Sequence, residues 1–295
     1  MELFTGSGVA LITPFDENGE VNYSRFREIL EFHVINHTDA IIVTGTTGEG
    51  STLNDEEKIS VIEFTVNIIN NRIPVIAGTG SNDTRHAAEF SKRVEKLGVD
   101  GLLVVTPYYN KGNENGIYEH YKTLAEGVKI PVILYNVPSR TGVNLSIPLL
   151  KRLAQIENIT ALKEASGDIS YVAEVAREVP ELDIYSGNDD MVVPVLSLGG
   201  KGVISVSANI IPDISHDITV SFLKGDVKKA RELQLKYNDL VNALFLETNP
   251  VPIKEAMNFL GYEVGNCRLP LGVMEEANRR KLTDILIAHE VTGWK

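Results

Sequence analysis

Short apolar runs rich in β-branched residues alternate along this chain with longer stretches in which apolar positions recur every three or four residues. The first pattern fits strands buried on both faces, and the second fits helices with one buried stripe. Their alternation predicts parallel strands joined by crossover helices. Eight strands are expected: Gly8 to Thr13, Ala40 to Thr44, Pro74 to Ala77, Gly101 to Thr106, Pro131 to Tyr135, Ile159 to Lys163, Leu182 to Tyr185 and Gly202 to Val206. Ile59, Ile62, Val66 and Ile69 make one helical stripe, and Ala87, Phe90, Val94 and Leu97 make another. Asn54 with Glu57 three residues on, and Ser146 ahead of Pro148, mark two helix starts.

This repeat predicts a closed (β/α)8 TIM barrel, assigned to residues 1–224, with an open doubly wound sheet as the alternative. After Asn209 the strand pattern stops. Ala230, Leu233, Tyr237, Leu240 and Leu244 form a stripe, Pro252 to Leu260 a shorter helix and Met274 to His289 a last one. They are read as the final barrel helix and a C-terminal helical extension packed on the barrel, the extension being assigned to residues 225–295.

A barrel of this kind builds its chemistry where the strands end. The second strand runs into Thr44-Gly45-Thr46-Thr47-Gly48-Glu49-Gly50, the third into Gly78-Thr79-Gly80-Ser81-Asn82 and the fourth into Pro107-Tyr108-Tyr109-Asn110. The fifth gives Tyr135 to Gly142, the sixth Lys163, and the seventh Ser186-Gly187-Asn188. A lysine at an apolar strand end is partly desolvated, which favours the neutral, nucleophilic amine. Read alone, Thr160 to Ala165 also fits a helix with Lys163 on its wet face. Thr46 and Thr47 fit either a tight turn or a carboxylate site made of exposed N–H groups and hydroxyls. Tyr135 fits a packing aromatic or a proton shuttle, and Arg140 a surface ion pair or a carboxylate clamp.

Composition narrows the classes. With 43% hydrophobic and 23% charged residues, the 295-residue chain is an ordinary globular protein. Its 28 Lys and Arg against 40 Asp and Glu leave a net charge of −12, the wrong sign for nucleic acid or an anionic membrane. One cysteine, Cys267, excludes an internal disulfide and is read as a packing residue. No basic-then-apolar leader follows Met1 and Glu2, so a cytoplasmic protein is expected. His33 and His37 share a helical spacing without a third ligand and are read as a solvated pair. The P-loop, G-x-G-x-x-G and G-x-S-x-G patterns are missing, and neither a cofactor nor a metal is expected.

Gly45-Thr46-Thr47-Gly48-Glu49, Tyr135-Asn136-Val137-Pro138-Ser139-Arg140-Thr141-Gly142 and Leu162-Lys163-Glu164-Ala165 occur in this order. In these motifs, and over nearly its whole length, the chain resembles the class I aldolase-type lyases, the family holding the dihydrodipicolinate synthases and the N-acetylneuraminate lyases. The resemblance implies that Lys163 forms a Schiff base with pyruvate, whose enamine then attacks aspartate semialdehyde. It further implies that Thr46 and Thr47 hold the pyruvate carboxylate, that Gly187 and Ile204 offer backbone contacts, and that Arg140 binds the semialdehyde carboxylate. Tyr109 would cross a dimer interface to complete a Thr46, Tyr109 and Tyr135 proton relay, in a homo-oligomer built as a dimer of dimers. Arg140 favours the synthase branch over the N-acetylneuraminate lyases. A keto-acid-binding sensor and a metal-dependent aldolase are the alternatives from other classes. In family members inhibited by lysine, a glutamate and histidines line the effector pocket. Here His86, Asp55 and Lys58 stand at those places while Asn82 and Tyr108 match, which implies insensitivity to lysine.

Overall fold

The computed structural model describes residues 3–293. The reading of Met1 and Glu2, and the outer limits of the two assigned segments at 1 and 295, lie outside the described residues. Eight strands form: β1 Gly6–Ala10, β2 Ala40–Val43, β3 Val75–Gly78, β4 Gly101–Val105, β5 Val132–Asn136, β6 Ile159–Glu164, β7 Asp183–Ser186 and β8 Gly202–Ser205. All pair in parallel in chain order, and β1 also pairs with β8, Gly8 opposite Ile204. That pairing closes the barrel and removes the open sheet.

β1 lies two residues earlier than its sequence pattern suggests. Leu11 N still donates to Ile42 O at 2.9 Å, but Ile12 N turns to the Asn209 side chain at 3.2 Å, and Pro14 then ends any ladder. Both helix starts are as expected: Asn54 and Glu57 form a reciprocal capping box, and Ser146 caps Ile147–Leu153. Beyond β8 the structure adds a helix at Pro212–Leu223, and the stripe from Ala230 to Leu244 is two helices, Val227–Lys236 and Asn238–Ala243, that break at Tyr237. A stripe continues across such a break because both pieces pack on the same core, so periodicity alone does not show it. Val251–Phe259 and Glu276–Ala288 follow.

Alternation along each strand divides the core in two. Ile42, Ile76, Leu103, Ile133, Ala161, Tyr185 and Ile204 fill the barrel, whereas Ile41, Val104, Leu134 and Leu162 face the helices. The Phe4 and Tyr185 rings stack at 4.4 Å, with the Tyr185 hydroxyl donating to Phe4 O, within the same inner layer.

His33 corrects the reading of a solvated pair. It is fully buried on the helix Tyr23–Ile35, with Nδ1 2.9 Å from Thr38 Oγ1, while His37 lies past that helix at φ 61°. His120 is likewise buried, with Nδ1 2.9 Å from Thr84 Oγ1. Burial pushes His33 from 6.5 to about 3 and His120 from 6.5 to about 4. Below pH 6.5 the unfolded chain takes up protons that the folded chain refuses. The stability these groups contribute is therefore complete above pH 6.5 and is lost as pH falls towards 3–4, by about 1.4 kcal/mol per pH unit for each histidine. The denaturant midpoint is expected to drop between pH 7 and pH 5, and to drop less in His33→Gln; equal drops in the two proteins would show that His33 is not one of the groups responsible.

Candidate active site

Lys163 is on β6 with the same inward phase as Ala161, so its amine enters the barrel instead of facing the helices. The parallel register sets Tyr135 of β5 and Tyr185 of β7 on either side of it. Its Nζ lies 4.4 Å from the centre of the Tyr135 ring, and the residue is 6% exposed. Burial is the largest influence and brings the amine down from 10.5 to about 8; Arg140 acts in the same direction and Asp189 opposes it. The helix alternative for Thr160 to Ala165 is thereby excluded, because Thr160 to Glu164 belong to a strand that ends before Ala165.

Tyr135 is buried, and its hydroxyl is hydrogen-bonded to Thr46. Burial raises its pKa, with Arg140 and the Thr46 bond acting against it, so the phenol keeps its proton at neutral pH and can donate it. Thr46 and Thr47 come from the tight turn after β2, where Thr44 and Glu49 both adopt left-handed backbone, φ 55° and 53°. Gly50 closes that turn so tightly that an added Cβ would lie 2.2 Å from Thr44 O. Arg140 stands on the one-turn helix Pro138–Thr141, which ends at Gly142 with φ 68°.

These groups converge on one cavity of about 280 Å³, lined by Thr46, Thr47, Tyr135, Arg140, Lys163 and Gly187 among others. A second cavity of about 360 Å³ shares Thr46, Tyr135 and Arg140 and extends to Lys58, Ser81, His86 and Tyr108. Gly187 has to be glycine: a Cβ there would meet Ala165 Cβ at 2.5 Å and Glu164 O at 2.9 Å. Ile204 is wholly buried in the inner layer, and β8 reaches the cavity wall through the following Val206. Tyr109 is not brought to the cavity of its own chain. It is 89% exposed at φ 70°, on the loop after β4.

Two further groups shape the site. Asn136 and Glu164, the neighbours of Tyr135 and Lys163, are themselves opposite in register, and Asn136 Nδ2 donates to Glu164 Oε2 and to Asn144 Oδ1, each at 2.7 Å. Glu164 Oε1 accepts from Ser166 N, and burial raises the Glu164 pKa. Asn249, from the segment after the barrel, also lines the smaller cavity. Its Nδ2 donates to Thr47 Oγ1 at 2.9 Å, and its backbone carbonyl accepts from Arg140 Nη2 at 3.0 Å. Sequence reasoning assigned none of these three a role. Asn136 and Glu164 lay inside the quoted motifs, but Asn249 had only an Asn-Pro turn signal.

A buried amine whose pKa is lowered to about 8 keeps a neutral fraction at neutral pH, and facing hydroxyls and a guanidinium it can add to a carbonyl compound that carries a carboxylate. The profile of the dihydrodipicolinate synthetase family matches residues 3–289. The chain belongs to that family. It is 54% identical to the 4-hydroxy-tetrahydrodipicolinate synthase of Brachyspira hyodysenteriae over 97% of this chain and 98% of that protein. The crystal structure of dihydrodipicolinate synthase from Aquifex aeolicus superposes with a TM-score of 0.96 at 44% identity, over 99% of this chain and 100% of that one. The chloride-inhibited dihydrodipicolinate synthase of Acinetobacter baumannii, crystallised with pyruvate, gives 0.95 at 41% identity, over 97% of this chain and 99% of that one.

Cys267 fits the packing role expected of it. It is partly buried and its thiol is pushed up to about 12, first by burial and then by Glu49, so it stays protonated and unreactive at neutral pH. Among the described residues, no helix is long and apolar enough to cross a membrane.

Proposed function

We infer that this chain condenses pyruvate with L-aspartate 4-semialdehyde to give 4-hydroxy-tetrahydrodipicolinate, the step its relatives are named for, in diaminopimelate and lysine biosynthesis. The observation that carries the reading is the buried Lys163 amine, lowered to about 8 and set against a protonated phenol. Lys163 adds to the pyruvate ketone, and loss of water leaves an iminium that withdraws electrons from the methyl group, so that the proton relay can take one of its protons. The resulting enamine carbon attacks the aldehyde, and the new alkoxide is protonated. The amine of the semialdehyde portion then closes the ring on the iminium carbon and releases Lys163. Tyr135 and Thr46 relay these protons, Thr47 and Gly187 hold the keto acid, Ile204 contributes backbone contacts, and Arg140 takes the semialdehyde carboxylate. This division of roles is supported by the position of each group around one cavity, Ile204 lying beneath it.

Tyr109 enters the same proposal through a second copy of the chain. A large aromatic held at φ 70° with 89% of its surface exposed is costly in a lone chain, and a partner's site would offset that cost. A dimer of dimers in the cytoplasm, with residues 1–224 as the catalytic barrel and 225–295 as the extension, completes the reading.

Borohydride added with pyruvate is expected to fix a three-carbon adduct on Lys163, and trapping at low pyruvate should slow about tenfold per pH unit below pH 8. An adduct on another lysine, or none, would sink the Schiff-base assignment; Lys163→Ala should keep the fold and lose nearly all turnover. Tyr109→Phe is expected to lower the rate while sedimentation shows an unchanged assembly, whereas fully active monomers would contradict the shared site.

Lysine is not expected to inhibit. His86 and Lys58 line the larger cavity; His86 Nε2 engages Asp55 Oδ2 at 2.9 Å, and Lys58 Nζ stands 5.5 Å from the Phe90 ring centre with its pKa lowered by burial. The acidic group that could have answered a lysine ammonium is therefore already paired, and Lys58 repels a second cation. Initial rates at fixed pyruvate should be flat with lysine, and clear inhibition at submillimolar lysine would overturn this.

A further inference from the structure

Thr47 and Arg140 share an unusual property: each is held by the protein in a way that leaves its substrate-facing capacity unused. Thr47 is 2% exposed and borders the smaller cavity. Its hydroxyl oxygen accepts from Asn249 Nδ2 at 2.9 Å, and among the described residues no protein acceptor takes the hydroxyl hydrogen. An amide nitrogen can only donate, so this bond fixes Thr47 as the acceptor and leaves its one hydrogen for the cavity. Arg140 donates to the uncharged carbonyl of Asn249 at 3.0 Å and forms no ion pair with a protein carboxylate among the described residues. A guanidinium anchored by a neutral group keeps its full charge for an incoming anion.

Both anchors belong to one residue. Asn249 is 5% exposed and lies outside the barrel strands. We propose that Asn249 is a positioning residue for substrate carboxylates: its side-chain amide directs the Thr47 hydroxyl hydrogen into the cavity, and its backbone carbonyl holds Arg140 beside it. The inference rests on the assignment of Thr47 to the pyruvate carboxylate.

Asn249 Oδ1 supplies an independent sign. Among the described residues it is buried without a hydrogen-bond partner. A buried acceptor left unmade costs stability, and the few that persist call for a reason outside stability. A residue kept only for the fold would not carry this cost. Asn249→Ala removes the unpaired oxygen together with the bond to Thr47, so its effect on function and its effect on stability separate.

Four variants test the proposal, Asn249→Asp, Asn249→Ala, Thr47→Val and the last two combined, each read by Tm, by the pyruvate KM and kcat, and by borohydride trapping at saturating pyruvate. Asn249→Asp keeps the shape but can only accept, so the Thr47 hydrogen turns away from the cavity. Its pyruvate KM is expected to rise tenfold or more, about 1.4 kcal/mol of lost binding, while saturating pyruvate still labels Lys163. Asn249→Ala is expected to raise KM severalfold with Tm equal to or above that of the parent. Combined with Thr47→Val, it should add little to the KM change that Thr47→Val causes alone, because one residue acts through the other. Unchanged KM in Asn249→Asp, additive effects with Thr47→Val, or a fall in Tm without a change of KM in Asn249→Ala would each overturn the proposal. A parent protein that pyruvate and borohydride fail to label would instead sink the pyruvate reading itself.

Discussion

The buried amine inside the barrel is the constraint on which the site depends. A lysine ammonium taken out of bulk water either finds acceptors or holds its proton less firmly. The chain contains both solutions. Lys254 is buried with its Nζ 2.9 Å from Glu49 and within reach of the Thr13 and Asn266 carbonyls, a full set of acceptors for an ammonium. Lys163 has the face of the Tyr135 ring and no ion pair among the described residues. The same side chain is therefore a fully paired cation in one place and an amine of lowered pKa in the other, and the difference is what surrounds the nitrogen.

Strand register carries this constraint to its neighbours. Because β5 and β6 run parallel with Tyr135 opposite Lys163, the next pair out is Asn136 opposite Glu164, and alternation turns that pair away from the barrel. Their hydrogen bond clasps the two strands directly behind the reacting pair. A slip of β6 by one residue would send the amine to the helix side while the phenol on β5 stayed inside, so the pair would be lost. Glu164 also accepts from Gly187 N through its backbone carbonyl at 2.6 Å, which ties β7 to the same point.

What could be read from the sequence follows from this geometry. Strand ends are legible because both-face burial writes continuous apolar runs and a barrel gathers their ends, so local pattern puts Lys163, Tyr135, Thr46, Thr47, Arg140 and Gly187 at one face of the barrel, while the roles expected of them come from the family resemblance. Asn249 was not, since a loop residue that reaches 202 positions back to Thr47 leaves no periodic trace. His33 was misread for a related reason: its helical spacing to His37 is real, but only tertiary packing shows that it faces the core. The break at Tyr237 was hidden because each half of the stripe buries the same face. Local signals thus located the residues that share the cavity, while the long-range contacts between them remained silent.

Those long-range contacts run mainly between the turn after β2 and the segment beyond the barrel. The turn holds two non-glycine residues in left-handed backbone, Thr44 and Glu49, each at a cost on the order of 1 kcal/mol. Glu49 is then fixed by Lys254 on one oxygen and by Arg268 N on the other, at 2.9 and 2.8 Å. Arg268 in turn pairs with Glu57 at 2.6 Å, in the first turn of the helix that follows the loop. A buried ion pair contributes little net stability against an apolar substitute, but losing one partner is costly, on the order of 3–5 kcal/mol. Its value here is therefore geometric. The C-terminal segment holds Glu49 from one side and Thr47 from the other, so the strained turn is fixed at two points, and Thr46 and Thr47 border the cavity from it.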